Sequence, residues 1–129
     1  MSAIPQRSVL LVEDEALLAM DIETVLGAVG FQVIGPASTS AEAYRLILSD
    51  KPDVTILDLN LGTEMVFPVL DYLDDVGIPF LILSGHSHQM VPARHAGRPF
   101  LQKPCEPGTL LRAVRGMLQP AAGGQLKHA

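Results

Sequence analysis

Five polar side chains stand directly at the ends of short apolar runs. Glu13 and Asp14 follow SVLLV, and Asp58 closes VTILD. Ser84 closes PFLILS, and Lys103 comes directly after FLQ. Carboxylates, a hydroxyl and an ammonium group are the side-chain types that bind and transfer phosphoryl groups. We therefore ask whether a fold can bring these five residues together.

Three carboxylates in one crevice repel one another, and at least one of their pKa values rises unless a cation neutralises them. The available ligands are all oxygens, which favours a hard cation, and so few carboxylates suit Mg²⁺ better than Ca²⁺. With the cation bound, a carboxylate oxygen of Asp58 can attack a phosphoryl donor and form an acyl phosphate. Lys103 would balance charge on the transferring oxygens, and Ser84 would donate a hydrogen bond to one of them.

The elements that must position these residues are short buried strands. Apolar runs predict strands at residues 8–12, 31–35, 54–58, 79–84 and 100–102. Strands that alternate with helices indicate an α/β fold in which helices cover both faces of a parallel sheet. In such a sheet, ligands bind beyond the carboxyl ends of the strands. All five candidate residues fall at such ends.

Helices are predicted between the strands from apolar side chains at helical spacing. Gly30 ends the first helix, and Ser40 caps the second. The third covers about residues 65–74 after a loop at residues 59–64, with Pro68 in its first turn. Pro107 introduces the last helix. The stretch between the fourth and fifth strands is rich in His, Pro and Gly and leaves room for at most a short helix.

Composition limits the classes of function. A length of 129 residues with 48% hydrophobic residues suits one domain, predicted at residues 1–119, with a disordered tail at residues 120–129. The formal net charge of -5 argues against nucleic acid as a partner. No apolar run approaches the roughly 20 residues of a membrane-spanning helix, so we expect no membrane insertion. A single cysteine and the lack of a secretion signal favour the cytoplasm.

The chain resembles the receiver domains of bacterial response regulators over about residues 8–118. The matching segments are LLVEDE around Glu13 and Asp14, ILDLNL around Asp58, LILSG around Ser84, and FLQKP around Lys103. Four such segments in order at strand ends form a specific pattern. The resemblance implies a flavodoxin-like, doubly wound, five-stranded parallel sheet of order 2-1-3-4-5 with about five helices.

The resemblance also implies roles for individual residues. Asp58 would be the phosphorylation site of a two-component system. Asp14 would ligate Mg²⁺ directly and Glu13 through water, while Asp58 and the backbone carbonyl of Asn60 complete the metal ligands. The phosphoryl donor would be a sensor histidine kinase.

Three further residues match functional positions of receiver domains. Ser84 stands at the position of the hydroxyl residue, and Lys103 at that of the bridging cation. Phe100 stands at the position of the aromatic residue whose rotation reports phosphorylation, so Ser84 and Phe100 would form the switch. The peptide bond between Lys103 and Pro104 is often cis in the family.

A narrower resemblance, to the FATGUY subgroup of single-domain receivers, rests on LNLGTEMVFPVLD, IPFLILSGH, a shortened connection and RPFLQKP. The subgroup's Phe-Ala-Thr-Gly reads Ile82, Leu83, Ser84 and Gly85 here, and Cys105 stands where an aromatic often follows Lys-Pro. Membership implies a short or irregular helix 4. We expect a kinase or phosphotransfer protein and a downstream protein target as partners, and a monomer or a phosphorylation-dependent dimer.

Simpler interpretations apply to the remaining candidates. His86, His88 and His95 lack the ligand pattern of a zinc site and are predicted to be loop histidines. His86, two residues after Ser84, could tune the lifetime of the phosphoryl group. Cys105 beside a cationic lysine could be reactive, although burial is more common for cysteine.

Two rival functions use the same residues. A small magnesium-dependent phosphohydrolase would use Asp58 as its nucleophile, but Asn60 stands where a second acid would protonate the leaving group. A phosphorylation-independent adaptor would keep the receiver fold and bind a partner constitutively. The complete set of acids, hydroxyl and lysine favours a phosphoacceptor, which acts chemically on itself alone and signals through partner binding or phosphate shuttling.

Overall fold

The computed structural model describes residues 6–62 and 64–118, so the predicted tail at residues 120–129 lies outside the described residues. The strands are β1 (Ser8–Val12), β2 (Gln32–Ala37), β3 (Val54–Leu57), β4 (Asn60–Leu61), β5 (Glu64–Met65), β6 (Phe80–Ser84) and β7 (Phe100–Gln102). Five of them form a parallel sheet of order β2-β1-β3-β6-β7. With the hairpin strands β4 and β5 set aside, this order is the expected 2-1-3-4-5, so the flavodoxin-like fold is confirmed.

Helices cover both faces of the sheet. They are α1 (Ala16–Ala28), α2 (Ser40–Asp50), α3 (Phe67–Val76) and α4 (Pro107–Leu118). Leu10 and Val12 of β1 pack with α2 and α3 in one core, whereas Val9 and Leu11 pack with α1 and α4 in the other. Successive side chains of a strand point to opposite faces, so a wholly apolar strand serves both cores. None of the described helices has the length and hydropathy to cross a membrane.

The ends of β2 and α2 differ from the predicted ones. β2 continues past Gly35 to Ala37, because Ala37 pairs with Val12 beyond an irregularity in the ladder. Gly35 has a φ of +99°, and a Cβ there would lie 2.8 Å from the carbonyl oxygen of Leu11. Thr39, and not Ser40, caps α2: its Oγ1 accepts the backbone N–H of Glu42 at 3.1 Å. The prediction of Ser40 is wrong by one residue because both hydroxyl residues satisfy the capping pattern, and Thr39 has the extended conformation of a cap.

The predicted loop at residues 59–64 contains a short hairpin. Asn60 of β4 pairs with Met65 of β5 in antiparallel register. The hairpin shifts the start of α3 to Phe67, which leaves Pro68 in the first turn as predicted. Pro is tolerated there because the first N–H groups of a helix have no partner within it.

The connection between β6 and β7 contains two 3₁₀ turns, His88–Met90 and Ala93–His95, and no α-helix. The described residues therefore form four α-helices where about five helices are expected, and the position of helix 4 is irregular as expected. One prediction fails in this stretch: His95 is not an ordinary loop histidine, because only 2% of it is exposed.

Candidate functional site

The five candidate residues meet at one edge of the sheet. Glu13 and Asp14 follow β1, Asp58 follows β3, Ser84 ends β6, and Lys103 follows β7. Strands β1 and β3 are neighbours at the point where the strand order reverses, which is where open parallel sheets bind ligands. A crevice of about 290 Å³ opens there; its lining includes Asp14, Glu15, Asp58, Asn60, His86 and Lys103. Glu13 and Ser84 are buried.

Lys103 lies at the centre of the charged groups. Its Nζ is 2.9 Å from Oδ2 of Asp58 and 2.9 Å from Oε1 of Glu13. Oε2 of Glu15 lies 3.6 Å away on the exposed side. The sequence interpretation misses Glu15 as a site residue, although the run of three acids after β1 contains the signal. One ammonium group therefore contacts three carboxylates from two loops.

Burial and ion pairing act in opposite directions on these groups. Burial raises the pKa of Glu13, although the hydrogen bond from Lys103 opposes this effect. Burial alone would lower the pKa of Lys103, but hydrogen bonds to Glu13 and Asp58 outweigh it and raise that pKa above its usual value. Lys103 therefore remains a cation at neutral pH.

The acidic residues are spaced to hold a metal ion. One carboxylate oxygen from each of Glu13, Asp14 and Asp58 lies within 4.8 Å of the other two. Oxygens that ligate one Mg²⁺ at about 2.1 Å lie up to about 4.2 Å apart, so small rotations would bring these carboxylates to one ion. Asp14 is exposed, which leaves room for the waters that Mg²⁺ retains. The donor set of hard oxygens fits magnesium.

A hydrogen bond between side chains crosses the mouth of the crevice. Nδ2 of Asn60 lies 2.6 Å from Nε2 of His86, and because an amide nitrogen only donates, the imidazole nitrogen accepts. The backbone N–H of Asn60 donates to Oδ1 of Asp58 at 3.3 Å. The backbone N–H of His86 donates to Oγ of Ser84 at 3.0 Å. This cross-crevice bridge has no signal in the sequence, because its two side chains are 26 residues apart, one in β4 and the other in the loop after β6.

Phe100 lies outside the crevice. It is half-buried against the core shared with α2 and α3, and its ring meets the ring of His88 edge to face at a centroid distance of 5.1 Å. The expected cis peptide bond between Lys103 and Pro104 is present, and Gly35 and Pro36 form a second one.

Cys105 lines a separate, mostly apolar groove of about 490 Å³ between α1 and the start of α4. Burial raises the pKa of its thiol, and the nearby Glu106 raises it further. A raised pKa keeps the thiol protonated and less nucleophilic, so this geometry favours the packing role over the reactive one.

The chain matches known proteins over most of its length. A family model for the response regulator receiver domain matches residues 9–115. Transcriptional regulatory protein PdtaR of Mycobacterium tuberculosis is 32% identical over 117 residues, covering 88% of this chain and 57% of PdtaR. The solution structure of SdrG from Sphingomonas melonis Fr1 is 35% identical with a TM-score of 0.77, covering 88% of this chain and 98% of SdrG. The crystal structure of the anti-anti-sigma factor PhyR from Bartonella quintana is 27% identical with a TM-score of 0.74, covering 89% of this chain and 48% of PhyR.

The chain spans about half the length of curated relatives that it matches, with 57% of PdtaR and 41% of PhyR from Methylorubrum extorquens. The family model's range, residues 9–115, contains Glu13, Asp14, Asp58, Ser84 and Lys103. The match over residues 9–115, together with the strand order of the sheet, shows that this chain belongs to the response regulator receiver domain family.

Proposed function

We propose that this receiver domain accepts a phosphoryl group on Asp58 in a magnesium-dependent reaction. The observation that carries the proposal is the setting of the Asp58 carboxylate. It is 7% exposed, Oδ2 contacts Nζ of Lys103, and Oδ1 accepts the backbone N–H of Asn60. A carboxylate held on both oxygens beside a cation, at the wall of an open crevice, is an oriented nucleophile.

In the proposed reaction, an oxygen of Asp58 supplies the electron pair for a new O–P bond. The bond between phosphorus and the donor's nitrogen or oxygen breaks, and the donor leaves with that pair. Lys103 stays protonated and donates to an oxygen of the transferred group, while the Ser84 hydroxyl donates to another. Mg²⁺, held by Glu13, Asp14, Asp58 and the carbonyl of Asn60, would neutralise charge on the phosphoryl oxygens.

The output of the reaction would be a change in protein binding. Ser84 and Phe100 would form the switch, because the Ser84 hydroxyl would donate to the phosphoryl group, and Phe100, on the neighbouring strand, contacts His88 in the connection that follows Ser84. Phosphorylation would stabilise one of two conformations more than the other and so shift their populations. A partner that binds the favoured conformation more tightly would then respond to phosphorylation. Phosphate shuttling to another protein is the other output that we propose.

The partners follow from this chemistry. A sensor histidine kinase or phosphotransfer protein would supply the phosphoryl group, and the domain would act in the cytoplasm on a protein target. PhyR of Bartonella quintana is described as an anti-anti-sigma factor. An anti-sigma factor is therefore one candidate class of target.

The two rival functions have less support. Receiver domains are generally signalling modules without enzymatic turnover, and Asn60, which offers no acid for a leaving group, lies at the crevice where a phosphohydrolase would need one. An adaptor that ignores phosphorylation does not require the spacing of Glu13, Asp14 and Asp58 to fit a metal ion.

Intact mass spectrometry after incubation with Mg²⁺ and acetyl phosphate tests the proposal. We expect one phosphoryl adduct on the wild type that requires Mg²⁺ and is lost in alkali, as an acyl phosphate is. Asp58→Asn removes the nucleophile at nearly constant volume and should take no adduct. Asp75→Asn, which changes an exposed carboxylate of α3, is the matched control and should behave like the wild type.

Absence of an adduct on the wild type with several small donors, under rapid quenching, would make the adaptor the better description. An adduct that persists in Asp58→Asn would place the chemistry on another residue. Steady release of phosphate from a generic phosphate ester would revive the phosphohydrolase.

A further inference from the structure

Residues 85–99, here called the connecting segment, are attached to α3 by side chains that the proposed reaction does not use. Arg94 donates from Nε and Nη2 to the two carboxylate oxygens of Asp71, at 2.7 and 2.9 Å. Nε2 of His95 donates to Oδ1 of the same Asp71 at 2.7 Å. Arg98 pairs with Asp74 one turn further along the helix. Three side chains of the segment thus contact two carboxylates of α3.

His95 is the buried member of this cluster. Only 2% of its side chain is exposed, compared with 56% for Arg94 and 44% for Asp71. Its ring meets Phe80 of β6 edge to face at 5.6 Å. Nδ1 faces Oδ2 of Asp74 at 3.5 Å but has no hydrogen-bond partner among the described residues. The bidentate pair of Arg94 with Asp71 is exposed and screened by solvent, whereas the hydrogen bond from the buried His95 to Asp71 is part-buried, so His95 makes the contact that is most shielded from water.

The connecting segment is tied together internally. Nε2 of His88 donates to the carbonyl of Ala96 at 2.9 Å, which joins the first 3₁₀ turn to the residue directly after the second. Two residues before His88, the side chain of His86 contacts Asn60 across the crevice. A continuous series of contacts therefore runs from His95 to the mouth of the crevice, where His86 contacts Asn60. An α-helix would hold its shape by its own ladder, whereas this segment has only the hydrogen bonds of its short turns, the buried side chain of Val91 and these side-chain contacts.

We propose that His95 is a positioning residue that clamps the connecting segment to α3 and so keeps His86 against Asn60 over the crevice. Its effect on phosphorylation rests on the function proposed above, but the clamp itself does not. Without the clamp, the segment exchanges between attached and detached arrangements, and the detached one leaves Asp58 more open to phosphodonors and to water. The clamp thereby slows both the gain and the loss of the phosphoryl group.

Two conservative substitutions separate the clamp from simple packing. In His95→Gln, the amide nitrogen reaches about the position of Nε2 and can keep the hydrogen bond to Asp71. In His95→Asn, it reaches about the position of Nδ1 and faces Asp74 instead. Both residues are neutral and polar, but Asn is also shorter by one methylene, so His95→Leu, which fills the site without a donor, measures what packing alone contributes. Arg94→Ala removes an exposed partner of the same Asp71 and serves as the control.

Hydrogen exchange of the unphosphorylated protein, read over residues 85–99, measures the clamp directly. We expect protection to fall about tenfold or more in His95→Asn, since loss of one hydrogen bond to a charged group shifts an equilibrium by that factor. His95→Gln should stay close to the wild type, and Arg94→Ala should change protection about fivefold at most, because its pair with Asp71 is exposed. Exchange at residues 85–87 shows whether the mouth of the crevice opens, and these three variants should rank there in the same order.

The rates of adduct formation from acetyl phosphate and of adduct loss should both rise in His95→Asn and return towards wild type in His95→Gln. Equal exchange in His95→Asn and the wild type overturns the clamp. Equal losses in the Gln and Asn variants, or wild-type protection in His95→Leu, also overturn it, because the hydrogen bond to Asp71 then contributes nothing. Faster exchange with unchanged adduct rates overturns the link to the crevice. If the wild type takes no adduct, phosphorylation fails as a function, while exchange over residues 85–99 still decides the clamp and exchange at residues 85–87 still decides its link to the crevice.

Discussion

Lys103 is the residue on which the electrostatics of the crevice depends. Its ammonium group lies between the buried carboxylates of Glu13 and Asp58, at 2.9 Å from each. Mg²⁺ would draw on the same two carboxylates. On the function proposed above, lysine and metal would therefore compete while the site is unphosphorylated, and they would cooperate once a phosphoryl group adds negative charge for both to neutralise.

The competition gives Lys103→Met two opposite effects. We expect the rate of phosphorylation by acetyl phosphate to fall about a hundredfold, as for other lost donors to a developing charge. We expect Mg²⁺ to bind more tightly, because the carboxylates lose their resident cation. Calorimetric titration and timed mass spectrometry measure the two effects. Arg112→Met, which changes an exposed residue of α4, should alter neither, and weaker Mg²⁺ binding in Lys103→Met would contradict the argument.

The bridge between Asn60 and His86 predicts a non-additive pair of substitutions. Either His86→Ala or Asn60→Ala removes the 2.6 Å contact across the crevice, and water then reaches an acyl phosphate on Asp58 more easily. We expect each to speed loss of the phosphoryl group about threefold to tenfold, the range for one lost hydrogen bond. The double variant should match the single ones, because both break the same bridge. Fully additive effects in the quenched decay of the adduct would show that the side chains act separately.

The residues of the crevice differ in how far the sequence reveals them. Asp14, Asp58 and Lys103 follow apolar strands, and the carboxyl ends of parallel strands must converge, so their proximity is predictable. Two contacts are not predictable in this way: that of Glu15 with Lys103 and the bridge from Asn60 to His86. They depend on how far side chains reach from one segment to another. Which residues act on a phosphoryl group stays a prediction.

At the scale of elements, buried strands are the most predictable part. Their runs of apolar residues have no alternative place in a fold of this size, and β1 and β7 begin and end as predicted. The hairpin of β4 and β5 has two residues in each strand, which is too short for a pattern. The connecting segment is predictable as irregular, but its attachment to α3 is not. A lone histidine at a polar loop position carries no sign that its ring is buried.

The attachment of the connecting segment to α3 should depend on pH. Hydrogen bonds from Arg94, and then from His95, lower the pKa of Asp71 from 3.8 to about 2. A carboxylate with a lowered pKa stabilises the folded state fully above its unfolded pKa, and this contribution is lost as the pH falls through the folded pKa. The contribution of Asp71 is therefore complete above pH 3.8 and disappears towards pH 2.

Asp71→Asn should consequently be less stable than the wild type near neutral pH, and the difference should shrink in acid. The difference is modest and falls with added salt, because the side chain of Asp71 is 44% exposed and solvent screens its pairs. Urea denaturation at about pH 6 and about pH 3 measures the free energy of unfolding in both proteins. Asp75→Asn, on the same helix, should show no such convergence. A difference that grows as the pH falls would contradict the lowered pKa.

At the scale of the whole molecule, the crevice lies at the edge where β1 and β3 end, between the two cores that cover the sheet. The two loops that carry Glu13, Asp14 and Asp58 leave these central strands, so their positions depend on the folded sheet. An unfolded chain does not hold the three carboxylates within 4.8 Å of one another. A metal bound by all three therefore binds the folded state preferentially, and its binding free energy adds to the stability of the whole domain.

Thermal denaturation should therefore respond to Mg²⁺. At a free concentration of about one hundred times the dissociation constant, Mg²⁺ should add about 2.7 kcal/mol to the free energy of unfolding. For a domain of about 110 residues, this raises the melting temperature by about 10 °C. Asp14→Asn removes the exposed ligand without disturbing a buried contact and should lose most of the shift, whereas Asp75→Asn should keep all of it. An equal shift in Asp14→Asn would place the ion elsewhere, because screening of surface charge acts on both variants alike.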